Sequence, residues 1–352
     1  MRTEIIAINA KNFHKALAPW YLKSYCESKG LTEIGVIEND INESINEITA
    51  RIYARQPAVA AADLFDAGLL ETVARMPRGR VQFEIGIQSV FDKTLAAVNR
   101  KTDTALALSN IKKLVSFQNC HIHAGLIAGL PHETTATFKK AVNQAVSARP
   151  HMLQIGFLKM LKGAAIRRGH KSFNAIFADF PPYEVYQTET MSYGDIVKLK
   201  KIESVIERYY NSGGFASTID YAITKLFLSP FEFFEGLSDY AESNGGLQRI
   251  SLKTAYTLLL KFLLRCGGPL ACKEIEHHIK SDCLSFDHKG LSLPDEIKPQ
   301  RNKQAELCYK KNNKAAADIR IEYFEFEQKH KLFIYDVKNP VTNAYSLRDI
   351  DI

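Results

Sequence analysis

Long apolar runs are missing from this sequence. No span of about 18 apolar residues occurs, and a helix needs such a span to cross a membrane. The apolar stretch between Met1 and Lys11 is also too short for the core of a signal peptide. Neither membrane insertion nor secretion is supported, and we expect a cytoplasmic protein without a membrane partner.

Closely spaced cysteines are missing as well. The six cysteines include no C-x-x-C pair and no C-x-x-x-C-x-x-C run, so the familiar spacings for zinc and iron–sulfur sites are absent. Isolated cysteines in a reducing compartment are usually small buried hydrophobic residues, which is our interpretation of Cys26, Cys120 and Cys308.

Blocks of five or six like charges are also absent. The 46 Lys and Arg residues and the 39 Asp and Glu residues are spread along the chain and leave a net charge of +7. A positive field steers anionic partners, but a solvated surface explains the same balance, so nucleic-acid binding is not indicated. With 46% hydrophobic and 24% charged residues among 352, the composition is that of a globular protein with two or three domains.

In residues 1–60, short apolar runs alternate with amphipathic stretches, and this pattern predicts the element order β-α-β-α-β. Two and a half strands cannot close a domain, because a parallel sheet needs both faces covered and more strands. We therefore interpret residues 1–60 as a truncated Rossmann-like unit. Its predicted elements are the strands Glu4–Ile8, Glu33–Ile37 and Ala58–Ala60 and the helices His14–Ser28 and Ile41–Arg55.

Residues 61–180 continue with strands and helices in alternation, which predicts part of a β/α barrel. Three barrel strands are visible, Arg80–Ser89, Ile122–Leu130 and Met152–Leu158. Residues 181–352 are mainly helical and end in a predicted β hairpin of Asp318–Phe326 against Lys331–Val337. The predicted fold class is therefore α/β, with a helical C-terminal domain.

Functional residues of a β/α barrel lie where its strands end. Gly86 and Gly129 lie at two such ends and let the backbone approach a ligand closely, while Pro131 fixes the turn after the second strand. Thr134 can begin the following helix, whose first N–H groups favour an anion. Each motif by itself is also explained by turn chemistry alone.

Taken together, the two motifs resemble the second half of the radical S-adenosylmethionine (SAM) barrel. Gly86-Ile-Gln-Ser89 is followed after about 40 residues by Leu126-Ile-Ala-Gly-Leu-Pro131 and Glu133-Thr134. Further strings extend the resemblance to the subgroup with a cobalamin-binding domain and an uncharacterised C-terminal domain. They are Asn9–His14, Asn99–Thr102, Leu153–Gly163, Pro181–Val185, Tyr209–Gly213 and Ser229–Phe234.

The resemblance implies S-adenosylmethionine, a 4Fe-4S cluster and cobalamin as cofactors. In the family, a C-x-x-x-C-x-x-C cluster cleaves S-adenosylmethionine reductively and forms a 5′-deoxyadenosyl radical. Gln88 and Arg100 match positions that contact S-adenosylmethionine in relatives, where an amide reaches a polar edge and a guanidinium suits the carboxylate. The alternative for Arg100 is a surface salt bridge.

Several family features are absent from the sequence. Relatives bring an aspartate to the ribose hydroxyls where this sequence has Gly125, which removes a hydrogen bond of roughly 1.5–3 kcal/mol. The cluster cysteines and the first barrel strands are missing, and the three domains would need on the order of 500 residues instead of 352. We place an internal break near Arg55–Asp63 and expect neither cluster nor cobalamin binding.

A histidine- and cysteine-rich stretch near the C-terminus offers an alternative metal site. Its spacings do not match the paired zinc pattern, and a single helix would disperse the side chains around its circumference, so we assign no metal ligands. The residues are Cys272, His277, His278, Cys283 and His288.

Two functional hypotheses follow from the sequence. The first is a radical SAM protein that has lost its cluster segment and is inactive alone, with the parent substrate unidentified. The second is a non-enzymatic binding module for RNA or a protein partner. We also expect the strand Val81–Gln88, deprived of its family neighbour, either to pair with Glu4–Ile8 or Glu33–Ile37 or to drive self-association.

Overall fold

The computed structural model describes residues 3–9, 34–40, 58–60, 62–313 and 318–351. It divides into two compact units, Met1–Leu199 and Lys200–Ile352. The predicted helices His14–Ser28 and Ile41–Arg55 lie outside the described residues, and the division into three domains at residues 60 and 180 stays a prediction. Within the described ranges, no helix is both long and apolar enough to span a bilayer.

The described part of the first unit contains a parallel sheet of six strands. They are β1 (Thr3–Asn9), β2 (Ile34–Asp40), β3 (Ala58–Ala60), β4 (Val81–Gln88), β5 (Cys120–Ala128) and β6 (Met152–Phe157). Their order in the sheet is β2-β1-β3-β4-β5-β6. This arrangement confirms the predicted α/β class, and the three strands that we predicted for the barrel are present as β4, β5 and β6. The truncated barrel itself remains a prediction.

The strand beside β4 differs from the expectation. One of the two predicted outcomes was that β1 or β2 pairs with β4. The short β3 lies there instead, with Ala58 opposite Phe83 and Ala60 opposite Ile85. The strand β1 pairs with β3 on its other side, so the N-terminal strands and the barrel strands form one continuous sheet. Self-association through β4 stays a prediction.

Three helices of the first unit begin where short polar side chains cap them. Asp66, Asp103 and Thr134 each accept a hydrogen bond from a backbone N–H in the first turn. Thr134 and Thr137 exchange bonds reciprocally, which confirms Thr134 as a helix start. The helices are α1 (Ala67–Ala74), α2 (Asp92–Ala97), α3 (Thr104–Ser116), α4 (Thr135–Ser147) and α5 (Ala165–Arg168), and a short hairpin of β7 (Ile176–Phe177) and β8 (Val185–Gln187) follows.

The two faces of the barrel strands differ sharply in polarity. Along β4, Val81, Phe83, Ile85 and Ile87 are buried, whereas every second residue from Gln82 onward is half-buried. The buried row is apolar and forms the core of the unit together with Ile122, Ala124, Leu126 and Leu153. The half-buried row of β4 consists of polar residues and glycine. We call the face of the sheet on which this row lies the open face.

The second unit joins helices to a small antiparallel sheet. Its longest helix is interrupted at Gly268, whose φ of 66° is accessible mainly to glycine, just before Pro269. The predicted hairpin is confirmed, and a third strand that we did not predict pairs with it. The elements are α6 (Tyr193–Val205), which crosses the boundary between the units, α7 (Ala216–Tyr221), α8 (Pro230–Ser243), α9 (Leu252–Phe286), α10 (Lys303–Asn313), β9 (Asp318–Phe324), β10 (Lys329–Tyr335) and β11 (Ser346–Ile350).

Candidate functional site

The C-terminal ends of β4, β5 and β6 surround a cleft of about 810 Å³. Gln88 contributes from the end of β4, Pro131 and His132 from the loop after β5, and Leu158 from the residue after β6. Ligands of parallel α/β proteins bind at this edge of the sheet, where the loops converge. The cleft is therefore the first candidate for a ligand site.

Arg100 is the cationic side chain of this cleft. Its guanidinium donates through Nη2 to the Gly86 carbonyl and through Nε to Thr102 Oγ1 at 3.1 Å. Burial lowers the pKa of Arg100, while the nearby Asp63 opposes this shift. Because a guanidinium remains charged in proteins, Arg100 offers a fixed positive charge to an anionic ligand.

Gln88 and Ile127 line both the cleft and a smaller cavity of about 360 Å³ on the open face, which Gly86 also lines. The Gln88 amide lies over Gly86, where a Cβ would collide with it. Gly125 is the register partner of Gly86 on β5 and also lines the smaller cavity. A Cβ at Gly125 would make ordinary contacts of 3.8 Å, so this position has room for a side chain.

A chain of polar side chains crosses the open face next to the smaller cavity. Glu84 Oε1 lies 2.7 Å from His123 Nδ1, and His123 Nε2 lies 2.8 Å from His121 Nδ1. Burial alone would raise the pKa of Glu84, but hydrogen bonds from His123, Gln82 and Gln154 outweigh it and lower the pKa. Glu84 is therefore a carboxylate at neutral pH and gives the small cavity a negative wall.

The two histidines at the far end of this polar chain are uncharged at pH 7. Burial lowers the pKa of both His121 and His151 to about 4, and their rings stack with centroids 4.9 Å apart. His151 Nδ1 accepts a hydrogen bond from the Ile122 N–H at 3.0 Å, which places the proton of the neutral ring on Nε2.

A buried carboxyl links the two strand-end loops behind the cleft. Ser89 and Glu133 are both fully buried, and Ser89 Oγ lies 2.5 Å from Glu133 Oε1. Burial raises the pKa of Glu133 to about 8, and the hydrogen bond from Ser89 opposes this shift. Glu133 Oε2 has no hydrogen-bond partner among the described residues. At neutral pH this carboxyl is mostly protonated and holds the two loops together.

The predicted site residues occupy three different places. Gln88, Arg100 and Pro131 line the large cleft, and Gly86 lines the small cavity. Gly129 has a φ of +83° and packs against Val185, whose Cγ1 would lie 2.7 Å from an added Cβ. The geometry thus brings four of the five predicted residues to one connected region, and their ligand-binding roles stay predictions.

Sequence reasoning missed the polar chain and the Ser89–Glu133 pair. The sequence does indicate part of the polar chain, because residues two apart in a strand lie on the same face. Gln82 and Glu84 have this spacing on β4, and His121 and His123 have it on β5. Nothing in the sequence indicates that these two pairs lie on the same face. That proximity depends on the register that sets Glu84 opposite His123.

The described residues do not supply the ligands of an iron–sulfur cluster. Among the described residues, no group of three His, Cys, Asp or Glu side chains is arranged to hold a metal ion. Of the histidine- and cysteine-rich stretch, Cys283 is buried, His277 lies beside Glu327, and His278 Nδ1 lies 2.7 Å from Ser217 Oγ.

Comparison with known families matches residues 171–342 to a family described as "Protein of unknown function (DUF4080)". Comparison with curated proteins finds no match. The matched segment covers the end of the first unit and most of the second.

Solved structures similar to the chain include radical SAM enzymes. HemN, the coproporphyrinogen III oxidase of Escherichia coli, is 12% identical with a TM-score of 0.37, over 56% of this chain and 51% of that one. SuiB of Streptococcus suis is 8% identical with a TM-score of 0.33, over 46% and 41%. TsrM of Kitasatospora setae, a methyltransferase with cobalamin and a [4Fe-4S] cluster bound, is 10% identical with a TM-score of 0.30, over 77% and 52%.

The chain spans about half the length of these solved structures.

Proposed function

We propose that the first unit is a partial radical SAM barrel that keeps a ligand cleft at its strand ends and does not cleave S-adenosylmethionine by itself. One observation carries this proposal. Gln88 and Arg100, which the sequence resemblance assigns to S-adenosylmethionine contacts, line a single cleft at the strand ends. The cytoplasmic location and the loss of the cluster segment belong to the same proposal.

The polarity of the cleft supports weak binding of a ligand that carries a carboxylate group. Arg100 supplies a guanidinium suited to a carboxylate, and Gln88 supplies an amide that reaches a polar edge. Gly125 offers no side-chain acceptor to ribose hydroxyls, although a Cβ at this position would make only ordinary contacts of 3.8 Å. The cleft therefore lacks one of the polar contacts that the resemblance implies.

We expect S-adenosylmethionine to bind the wild-type chain no better than in the millimolar range. Gly125→Asp is expected to tighten binding by about tenfold, because it restores a charge-assisted hydrogen bond at a position where a Cβ meets no clash. Gln88→Ala and Arg100→Ala are expected to abolish residual binding. Isothermal titration calorimetry of the four proteins measures these differences.

Gly156→Asp is the matched control, because Gly156 lines the same small cavity from the neighbouring strand β6. We expect this variant to bind S-adenosylmethionine no better than the wild type. Micromolar affinity of the wild-type chain would contradict the proposal, as would equal gains from the two aspartate variants.

We further expect anaerobic reconstitution with iron and sulfide to leave less than stoichiometric iron and no cluster-type electron paramagnetic resonance signal. Metal ligation needs a thiolate, and burial raises the pKa of the Cys266 and Cys283 thiols. The triple variant Cys266→Ser, Cys272→Ser, Cys283→Ser should give the same low iron content as the wild type. A bound four-iron cluster would contradict the loss of the cluster site.

The non-enzymatic binding module, which reuses the barrel remnant and the helical tail, stays the alternative hypothesis. It predicts RNA or protein binding that is unaffected by Arg100→Ala, a cleft substitution in the first unit.

A further inference from the structure

Positive charge is concentrated in one part of the sequence, although no contiguous block of it occurs. Residues 134–178 contain eight Lys and Arg residues and no Asp or Glu, whereas the other 307 residues contain 38 Lys and Arg and 39 Asp and Glu. This stretch therefore accounts for the whole net charge of +7. A solvated surface usually mixes charges of both signs, so 45 residues without an acid indicate a surface that attracts anions.

Part of this stretch forms one wall of the large cleft. The segment after β6 contributes the lining residues Leu158, Ala165, Ile166, Gly169, Ser172 and Phe173. The side chains of Lys162, Arg168 and Lys171 belong to the same segment and are exposed, and we call these three side chains the basic rim. None of the described residues that line the cleft is acidic. The basic rim therefore borders a concave surface without a lining carboxylate.

The contacts of the basic rim leave its charge available. Arg168 Nη1 donates to the Gly163 carbonyl at 2.8 Å, which uses one of the five N–H groups of the guanidinium. Lys162 Nζ lies 5.7 Å from the centroid of the Tyr183 ring. Neither contact involves a carboxylate, so both cations keep their charge for an anion outside the protein. Phosphate groups suit both a guanidinium and an ammonium.

An exposed aromatic ring lies in the turn that packs against this segment. Phe180, between β7 and β8, is 65% exposed, and its carbonyl accepts a hydrogen bond from the Tyr183 N–H at 2.8 Å. Arg167 lies 5.0 Å from the centroids of both the Tyr183 and the Phe177 ring, which holds the turn against the segment of the basic rim. An exposed ring beside basic side chains is the arrangement on which unpaired bases stack.

We propose that the basic rim and Phe180 bind single-stranded nucleic acid. Phosphates bind the three cations, and one unpaired base stacks on the Phe180 ring. A duplex offers no free base face to Phe180, and a flat bilayer fits a rim around a concave cleft poorly. The proposal gives the binding-module hypothesis a site in the first unit, and it does not depend on S-adenosylmethionine binding in the cleft.

Fluorescence anisotropy of the full chain with a fluorescein-labelled oligoadenylate of about 12 nucleotides tests the proposal. We expect a micromolar Kd at about 50 mM salt, and three phosphate contacts give a slope of about −2 for the logarithm of the binding constant against that of the salt concentration. A triple variant without the basic rim should weaken binding by at least about tenfold and bring the slope close to zero. It combines Lys162→Gln, Arg168→Gln and Lys171→Gln.

The matched control removes two lysines and one arginine from the opposite edge of the sheet. Arg80 directly precedes β4, Lys112 and Lys113 lie near the end of α3, and all three are exposed. The combined Arg80→Gln, Lys112→Gln and Lys113→Gln variant should change the Kd by no more than about twofold, because these side chains make no phosphate contact in the proposed complex. Equal weakening by the two triple variants would overturn the proposal, because binding would then follow net charge alone.

Phe180→Leu separates base stacking from hydrophobic insertion, because leucine is apolar but has no flat ring. We expect this variant to bind the oligoadenylate about tenfold more weakly, whereas Phe326→Leu, at a 48% exposed position of the second unit, should bind like the wild type. Circular dichroism establishes that each variant is folded. No anisotropy change with the wild type, or full affinity of Phe180→Leu, would overturn the proposal. Binding to phosphatidylglycerol vesicles without binding to the oligonucleotide would also overturn it and assign the surface to a membrane.

Discussion

Replacing Glu322 with glutamine is expected to lower the free energy of unfolding of the second unit by about 3–5 kcal/mol. Glu322 is fully buried on β9 and receives Lys280 Nζ at 2.8 Å and Arg320 Nη2 at 2.8 Å. Both cations are themselves largely buried. Glutamine removes the negative charge that faces these two buried cations.

Glu242→Gln is the matched control for this loss. Glu242 pairs with Lys201 at the surface of the same unit, where both side chains are about half exposed. Solvent screens such a pair, so the free energy of unfolding should change by less than about 1 kcal/mol. Urea denaturation read out by hydrogen exchange of β9 and β10 peptides measures both variants.

A triple variant separates the effect of charge from that of packing. Lys280→Met, Arg320→Met and Glu322→Leu together replace the buried ions by apolar side chains, and buried ion groups replaced in this way often retain stability. We expect the triple variant to recover most of the stability that Glu322→Gln loses. A Glu322→Gln variant as stable as Glu242→Gln would show that the buried charges are compensated elsewhere.

The barrel strands and the main cleft were predictable because local patterns determine them. Alternating apolar residues identify β4, and the ends of parallel strands lie on one edge, so Gln88 and Pro131 were expected near each other. The capping role of Thr134 follows from its position before an amphipathic run. These features need no knowledge of distant contacts.

Features that depend on tertiary register were not predictable. His151 follows His123 by 28 residues in the sequence. Only the pairing of β5 with β6 places it next to His121. The strand β11 was missed because its sequence, Ser-Leu-Arg-Asp-Ile, is polar and exposed at the edge of a sheet. The placement of β3 beside β4 likewise depends on the sheet order, which three apolar residues cannot specify.

Glu133 shows how a residue quoted in a motif can have a role that the motif does not reveal. As part of a turn between a strand and a helix, a glutamate is expected at the surface. The structure instead buries it completely beneath both strand-end loops, where Thr190 Oγ1 also donates to its backbone carbonyl at 2.7 Å. The protonation state of the Glu133 side chain therefore affects the stability of the first unit.

We expect Glu133→Gln to stabilise the first unit increasingly as the pH rises from about 5 to 9. The pKa of Glu133 is raised from 4.5 to about 8 by burial, so the folded state binds this proton more tightly than the unfolded state between those values. Stability therefore falls as pH rises through that window and stays constant above it. Glutamine has no proton to lose, and its advantage should reach on the order of 4 kcal/mol at pH 9.

The difference between variant and wild type is the informative quantity, because other groups titrate in the opposite sense. His121 and His151, with pKa values lowered from 6.5 to about 4, make the wild type more stable as pH rises between these values. Urea denaturation of both proteins at pH 5, 7 and 9 cancels that contribution, since both retain the histidines. Glu71→Gln, an exposed change on α1, should alter stability by less than about 1 kcal/mol at every pH. The gain in free energy of unfolding from Glu133→Gln could instead be constant or fall as the pH rises. That result would mean that Glu133 is ionised in the folded protein and that other interactions offset the cost of burying its charge.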